Sequence, residues 1–133
     1  MTAPEDMFAT AKEMRGKAYA PYSNFAVGAA LRGESGKVYG GCNVENAAYP
    51  QGCCAEASAI SALIAGGDRR ITEVLVVAKA DEPVTPCGGC RQKLREFAAG
   101  DTPIHICDPD GHITTVTLET LLPMSFGPAH LGK

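Results

Sequence analysis

Ile71-Thr72-Glu73-Val74-Leu75-Val76-Val77-Ala78 is the stretch that decides the fold. Val74 to Val77 are continuously apolar and mostly β-branched, the pattern of a strand buried on both faces. Just upstream, Cys54 to Ala65 is rich in Ala, Ile and Leu and is closed by Gly66-Gly67, a helix with a glycine stop. Downstream, Pro83 to Pro86 reads as a loop, and Cys87 to Phe97 as a second helix that stops near Gly100. A buried strand between two helices implies a layered α/β protein. Further out, Ile104–Cys107 and Ile113–Val116 flank Asp108-Pro109-Asp110-Gly111, a turn signal, and Thr117 to Leu122 suits a short helix. Toward the N-terminus, Phe25–Leu31 and Lys37–Asn43 flank a turn-like Gly33–Gly36, which predicts a hairpin, and Glu45 to Gly52 is irregular. Met7, Ala11, Met14 and Ala18 recur at helical spacing after a Thr2-to-Glu5 capping box, so a first helix is expected to end before Pro21.

The chain has 133 residues, a length that suits one domain over 1–133. Its 45% apolar and 20% charged residues exclude a disordered chain. A formal net charge of −3, with no Lys/Arg cluster, removes the simplest electrostatic reason for binding nucleic acid. The acidic start, Met1 to Asp6, does not read as a signal peptide, and no window reaches the ~20 apolar residues of a membrane span. A cytoplasmic location is therefore expected. There the six cysteines (42, 53, 54, 87, 90 and 107) stay reduced, which favours metal binding or catalysis over disulfides.

Two segments carry chemistry: Cys54-Ala55-Glu56 and Pro86-Cys87-Gly88-Gly89-Cys90. Cys87 and Cys90 are spaced i, i+3, so both thiols fall on one side of a first helical turn, where the helix N-terminus favours thiolate. Alone, this C-x-x-C fits a redox pair equally well. Cys54 opens the other helix and brings a third thiol. Three thiolates can hold zinc and leave the fourth tetrahedral position to a water, the pattern of a catalytic rather than a structural site. Glu56, two residues after a ligand, is placed to accept and deliver protons. A ligand followed by x-Glu and later by P-C-x-x-C is the signature of zinc deaminases.

The chain resembles the small cytidine deaminase family from end to end. The matching runs are Pro21-Tyr22-Ser23-Asn24-Phe25-Ala26-Val27-Gly28-Ala29-Ala30-Leu31, Gly41-Cys42-Asn43-Val44-Glu45-Asn46-Ala47, Cys54-Ala55-Glu56, Pro86-Cys87-Gly88-Gly89-Cys90-Arg91-Gln92, and Leu121-Leu122-Pro123 followed by Phe126. The resemblance implies a three-layer α/β/α sandwich with a central mixed β-sheet, one Zn2+ per chain on Cys54, Cys87 and Cys90, and Glu56 as the proton shuttle. It implies that Asn43 and Glu45 hydrogen-bond the ribose, that Phe25 packs on the base, and that the backbone at Ala55 meets the pyrimidine edge. It implies a homotetramer in which Phe126 reaches a neighbouring subunit's site. The implied activity is hydrolytic deamination of cytidine and 2′-deoxycytidine in pyrimidine salvage, with a free nucleoside as partner and neither nucleic acid nor membrane.

One position departs from the pattern. Many family members carry Arg after the catalytic Glu, and here the residue is Ala57. Three thiolates with Zn2+ keep a formal charge of about −1, which the two helix N-termini, each roughly half a charge, are left to offset, with Arg91 a further candidate. Cys53 is the rival to Cys54 as ligand, but the Cys-x-Glu offset selects Cys54. Cys42 and Cys107 read as buried inert thiols, and His105, His112 and His130 show no ligand spacing. The rival functions are a thiol–disulfide protein, which leaves Cys54 and Glu56 idle, a structural zinc module, which needs a fourth ligand, and a deaminase of the same fold for another substrate.

Overall fold

The computed structural model describes residues 4–133. Thr2 of the expected capping box lies outside them, and the N-cap position of α1 (Glu5–Gly16) is held by Pro4. Glu5 and Asp6 place negative charge at the positive end of this helix. Met7 and Ala11, one turn apart, are its buried residues. α1 stops at Gly16, short of Pro21, because Tyr19 turns away to pair with the 43–45 segment.

β1 (Val27–Gly33) and β2 (Val38–Cys42) form the expected antiparallel hairpin. Phe25 stays outside β1, since the chain bends at Asn24, whose φ of 57° is left-handed. α2 (Ala55–Ala65) is capped by Cys54 and released through Gly66-Gly67, with Gly67 at φ 102°. β3 (Ile71–Ala78) spans the predicted residues, and α3 (Gly88–Phe97) follows with Cys87 as its N-cap. β4 (Pro103–Cys107), β5 (Ile113–Thr117) and the one-turn α4 (Leu118–Leu121) complete the chain order.

The strands form one sheet in the order β2-β1-β3-β4-β5. β3 and β4 are parallel and the other neighbours antiparallel. β3 is central and buried on both faces, as its continuous apolar run predicts. Val74 and Val76 pack with Ala59, Leu63 and Leu94 of α2 and α3, whereas Leu75 and Val77 pack with Met7 and Ala11 of α1. The result is a three-layer α/β/α sandwich with a mixed sheet.

The layers approach closely through glycine. A Cβ on Gly28 would collide with the Ala11 carbonyl oxygen and lie 2.6 Å from the Arg15 nitrogen; one on Gly41 would press into the backbone of Ala55 and Ala59. Gly28→Ala is therefore expected to destabilise the fold by about 2–3 kcal/mol through overpacking, read as a lower denaturant midpoint at unchanged m-value.

This topology positions the site. α2 runs into the start of β3, so its N-terminus lies near the end of β3, where α3 begins the crossover to the parallel strand β4. Two helix N-termini thus meet beyond the carboxyl ends of β3 and β4, where open α/β sheets bind ligands.

Candidate active site

Cys54 caps α2, while Cys87 caps α3 and Cys90 lies in its first turn. Their Sγ atoms all lie within 4.8 Å of one another, with Cys54 and Cys87 3.9 Å apart, the one such ligand cluster among the described residues. Cys53 is exposed and outside it, its sulfur 3.8 Å from the Ser58 hydroxyl. Burial pushes the Cys54 and Cys90 thiols up, and neighbouring negative charge adds to both. Burial also works against the Cys87 thiolate, yet hydrogen bonds from Cys90 and Cys54 leave Cys87 below its ordinary value. Three soft sulfurs at this spacing, facing two helix N-termini, suit a tetrahedral divalent cation that would relieve their mutual repulsion.

Arg91 does not serve the thiols. Its guanidinium donates to the carbonyls of Pro86 (2.7 Å) and Leu121 (2.8 Å) and to the Thr85 hydroxyl (2.8 Å), clamping the loop that presents Cys87. Glu56 is 4% exposed, and burial raises its pKa. Ala57 borders a separate cleft between α2 and α3 with Lys93, Gln92 and Glu96.

Opposite the thiols, residues 43–45 are held by backbone hydrogen bonds to Tyr19 on one side and Cys53 on the other. Asn43 and Glu45, two residues apart on this extended segment, project to one side, toward residues 22–27. Asn43 donates to the Phe25 carbonyl (2.8 Å) and accepts from the Val27 amide (2.9 Å). Glu45 accepts from the amides of Tyr22 (2.9 Å) and Ser23 (3.1 Å) and from the Ser23 hydroxyl. These bonds hold its carboxyl below the usual carboxylate range, the Ser23 hydroxyl contributing most.

A cavity of about 290 Å3 joins the two halves. Phe25, Asn43, Glu45, Cys54, Ala55, Glu56 and Cys87 all line it. Cys90 is buried behind them. Phe126 is absent from this wall; it is exposed and stacks on His130, ring centres 5.1 Å apart. Ser23, Val76, Val84 and Thr85 also line the cavity and were not singled out from sequence. Of these, Ser23 lay in the Pro21–Leu31 run and Val76 in the apolar stretch read as a buried strand. Cys107 is buried as expected, its thiol pushed up to about 11 by burial and by Asp108, while Cys42 is only partly buried.

An α/β/α sandwich with three thiols converging at two helix N-termini defines a metal-binding α/β protein. Residues 1–106 match the sequence model described as "Cytidine and deoxycytidylate deaminase zinc-binding region", and the chain belongs to this family. The chain is 42% identical over 128 residues to the cytidine deaminase of Sporosarcina psychrophila, covering 96% of this chain and 94% of that one. Its fold is similar to the crystal structure of cytidine deaminase from Burkholderia pseudomallei, at a TM-score of 0.87 and 39% identity over 94% of this chain and 100% of that chain. It is also similar to that of the Mycobacterium tuberculosis cytidine deaminase, at a TM-score of 0.78 and 37% identity, covering 92% and 95%. No helix among the described residues is long and apolar enough to cross a membrane.

Proposed function

We propose that the protein hydrolyses free cytidine and 2′-deoxycytidine to uridine and 2′-deoxyuridine, releasing ammonia. The observation that carries this reading is the single cavity lined by thiols and a buried carboxylate at one end and by Asn43 and Glu45 at the other. Cys54, Cys87 and Cys90 are the residues that hold zinc, whose chemistry when bound is Lewis-acid activation of water. Glu56 removes a proton from the attacking water and places it on ring N3 as oxygen adds at C4. It then carries the second water proton to the departing amine, so that ammonia leaves and the C4 carbonyl forms. A buried carboxyl, whose pKa is raised by desolvation, suits both directions of transfer. Asn43 and Glu45 hold the ribose, Phe25 packs on the pyrimidine, and the Ala55 backbone meets its edge.

The partner is a small nucleoside rather than a polymer, because a chain of net charge −3 offers no basic strip for a phosphate backbone. The protein is read as a single domain, cytoplasmic, acting in pyrimidine salvage, and homotetrameric. Exposed Phe126 lies outside its own chain's cavity, as a residue that serves a neighbouring subunit must. Incubation of purified protein with cytidine, followed by the ultraviolet change on conversion to uridine, tests the reading. Turnover abolished by a chelator and restored by zinc is the expected result. Zinc-loaded protein inert toward cytidine and deoxycytidine would overturn it.

A further inference from the structure

Glu45 is already heavily engaged before any nucleoside arrives. A carboxylate has about four acceptor sites. The Tyr22 and Ser23 amides fill both on Oε1, and the Ser23 hydroxyl takes one on Oε2. One acceptor site remains, and it belongs to Oε2. The direction of the Ser23 hydroxyl proton is fixed as well. Its oxygen accepts from the Phe25 amide at 3.0 Å, which leaves its one hydrogen for Glu45. Ser23 and Glu45 together line the nucleoside cavity, and both also line a neighbouring cleft of about 250 Å3 with Tyr22 and Tyr49. The pair forms a wall between the two spaces, and the carboxylate can turn toward either.

We infer that Ser23 is a positioning residue for nucleoside binding: its hydroxyl locks the Glu45 carboxylate so that the remaining Oε2 acceptor site faces the ribose, and couples that acceptor to the backbone of Phe25 beneath the base. The inference rests on the reading of Glu45 as a ribose acceptor. Without the hydroxyl, Glu45 keeps its two amide bonds on Oε1 but loses the bond that sets the rotation of Oε2. Phe25 keeps its place, because Asn43 still holds its carbonyl. The penalty therefore falls on the ribose contact and not on the base. A loss confined to ground-state binding raises KM and spares kcat.

The test uses the zinc-loaded enzyme and measures KM and kcat for cytidine, together with competitive inhibition by uridine and by 2′,3′-dideoxyuridine, which lacks the 2′- and 3′-hydroxyls and keeps the 5′-hydroxyl. Ser23→Ala is expected to raise the cytidine KM and the uridine inhibition constant about tenfold, the size of one hydrogen bond to a charged group. The same variant is expected to leave kcat and the dideoxyuridine constant within about twofold. Ser23→Thr, which keeps a hydroxyl, is expected to restore uridine binding. On a Glu45→Ala background, Ser23→Ala is expected to add almost nothing, since both changes remove the same contact. Two results overturn the proposal and leave the ribose reading intact: Ser23→Ala weakening uridine and dideoxyuridine alike, or adding its full penalty to Glu45→Ala. If Glu45→Ala itself weakens both inhibitors equally, Glu45 is not the ribose acceptor, and the inference falls with it.

Discussion

Glu56→Gln is expected to lower kcat on cytidine by about 10^3- to 10^4-fold while the protein keeps its fold and one zinc per chain. The amide matches the carboxyl in shape, so the 4%-exposed site at the start of α2 stays filled and Ala55 keeps its contact with Gly41. What disappears is the capacity to take a proton from water and return it to N3 and the amine, a contribution of roughly 10^2- to 10^4-fold for a positioned acid–base group. The upper end is expected because Glu56 serves two transfers in each turnover. Steady-state rates, metal analysis and circular dichroism on one preparation separate the possibilities. A variant that retains a tenth or more of wild-type kcat would show that another group moves the proton. A variant that loses zinc in parallel would place Glu56 among the groups that hold the metal.

What the sequence revealed about this site, and what it concealed, follows from the range of the interactions. β3 and the two thiol-capped helices were legible because their signals are local: a continuous apolar run, an Ala-rich segment with a Gly-Gly stop, and a C-x-x-C opening a helix that stops near Gly100. α1 ends before Pro21 as expected, but its stop at Gly16 is set by a distant event. Tyr19 donates to the Asn43 carbonyl and accepts from the Glu45 amide, and no periodicity within residues 5–20 records this. His105 drew notice in the sequence only for lacking ligand spacing. It is 1% exposed and bonds Glu73 at 2.6 Å and Thr115 at 2.8 Å, while Glu73 faces Arg32 and Arg32 pairs with Asp6. This polar chain exists only through strand register, Arg32 opposite Glu73 and His105 opposite Thr115. Arg91 shows the same limit in reverse. Adjacency to Cys90 suggested charge compensation, but the side chain reaches three oxygens of the Thr85–Pro86 loop and of Leu121 instead. Sequence spacing identified the residue types the chemistry needs, while the partners that aim them depended on tertiary geometry.

Cys90→Ala is expected to reduce bound zinc from one per chain to less than a tenth at micromolar protein, and to abolish turnover with it. Cys90 is the deepest of the three thiols at 1% exposure, and with Leu94 one turn on it forms the buried face of α3. Two remaining sulfurs at the rim, Cys54 and Cys87, are too few to complete the protein side of a catalytic zinc site, which takes three ligands and leaves one position open. The fold itself is expected to survive. Its two apolar clusters flank a five-stranded sheet and do not include Cys54 or Cys87, so the chain does not depend on metal for its core as a small zinc module does. Cys53→Ser, one residue before a ligand but outside the cluster, is the matched control and is expected to keep full zinc and activity. Metal content and rate measured together also separate this reading from a dithiol redox pair at Cys87 and Cys90. A redox protein would lose function in Cys90→Ala as well, but it would be indifferent to a chelator, whereas the zinc enzyme loses and regains activity with the metal. Full zinc retained in Cys90→Ala would mean that the three sulfurs, close as they are, do not form the metal site.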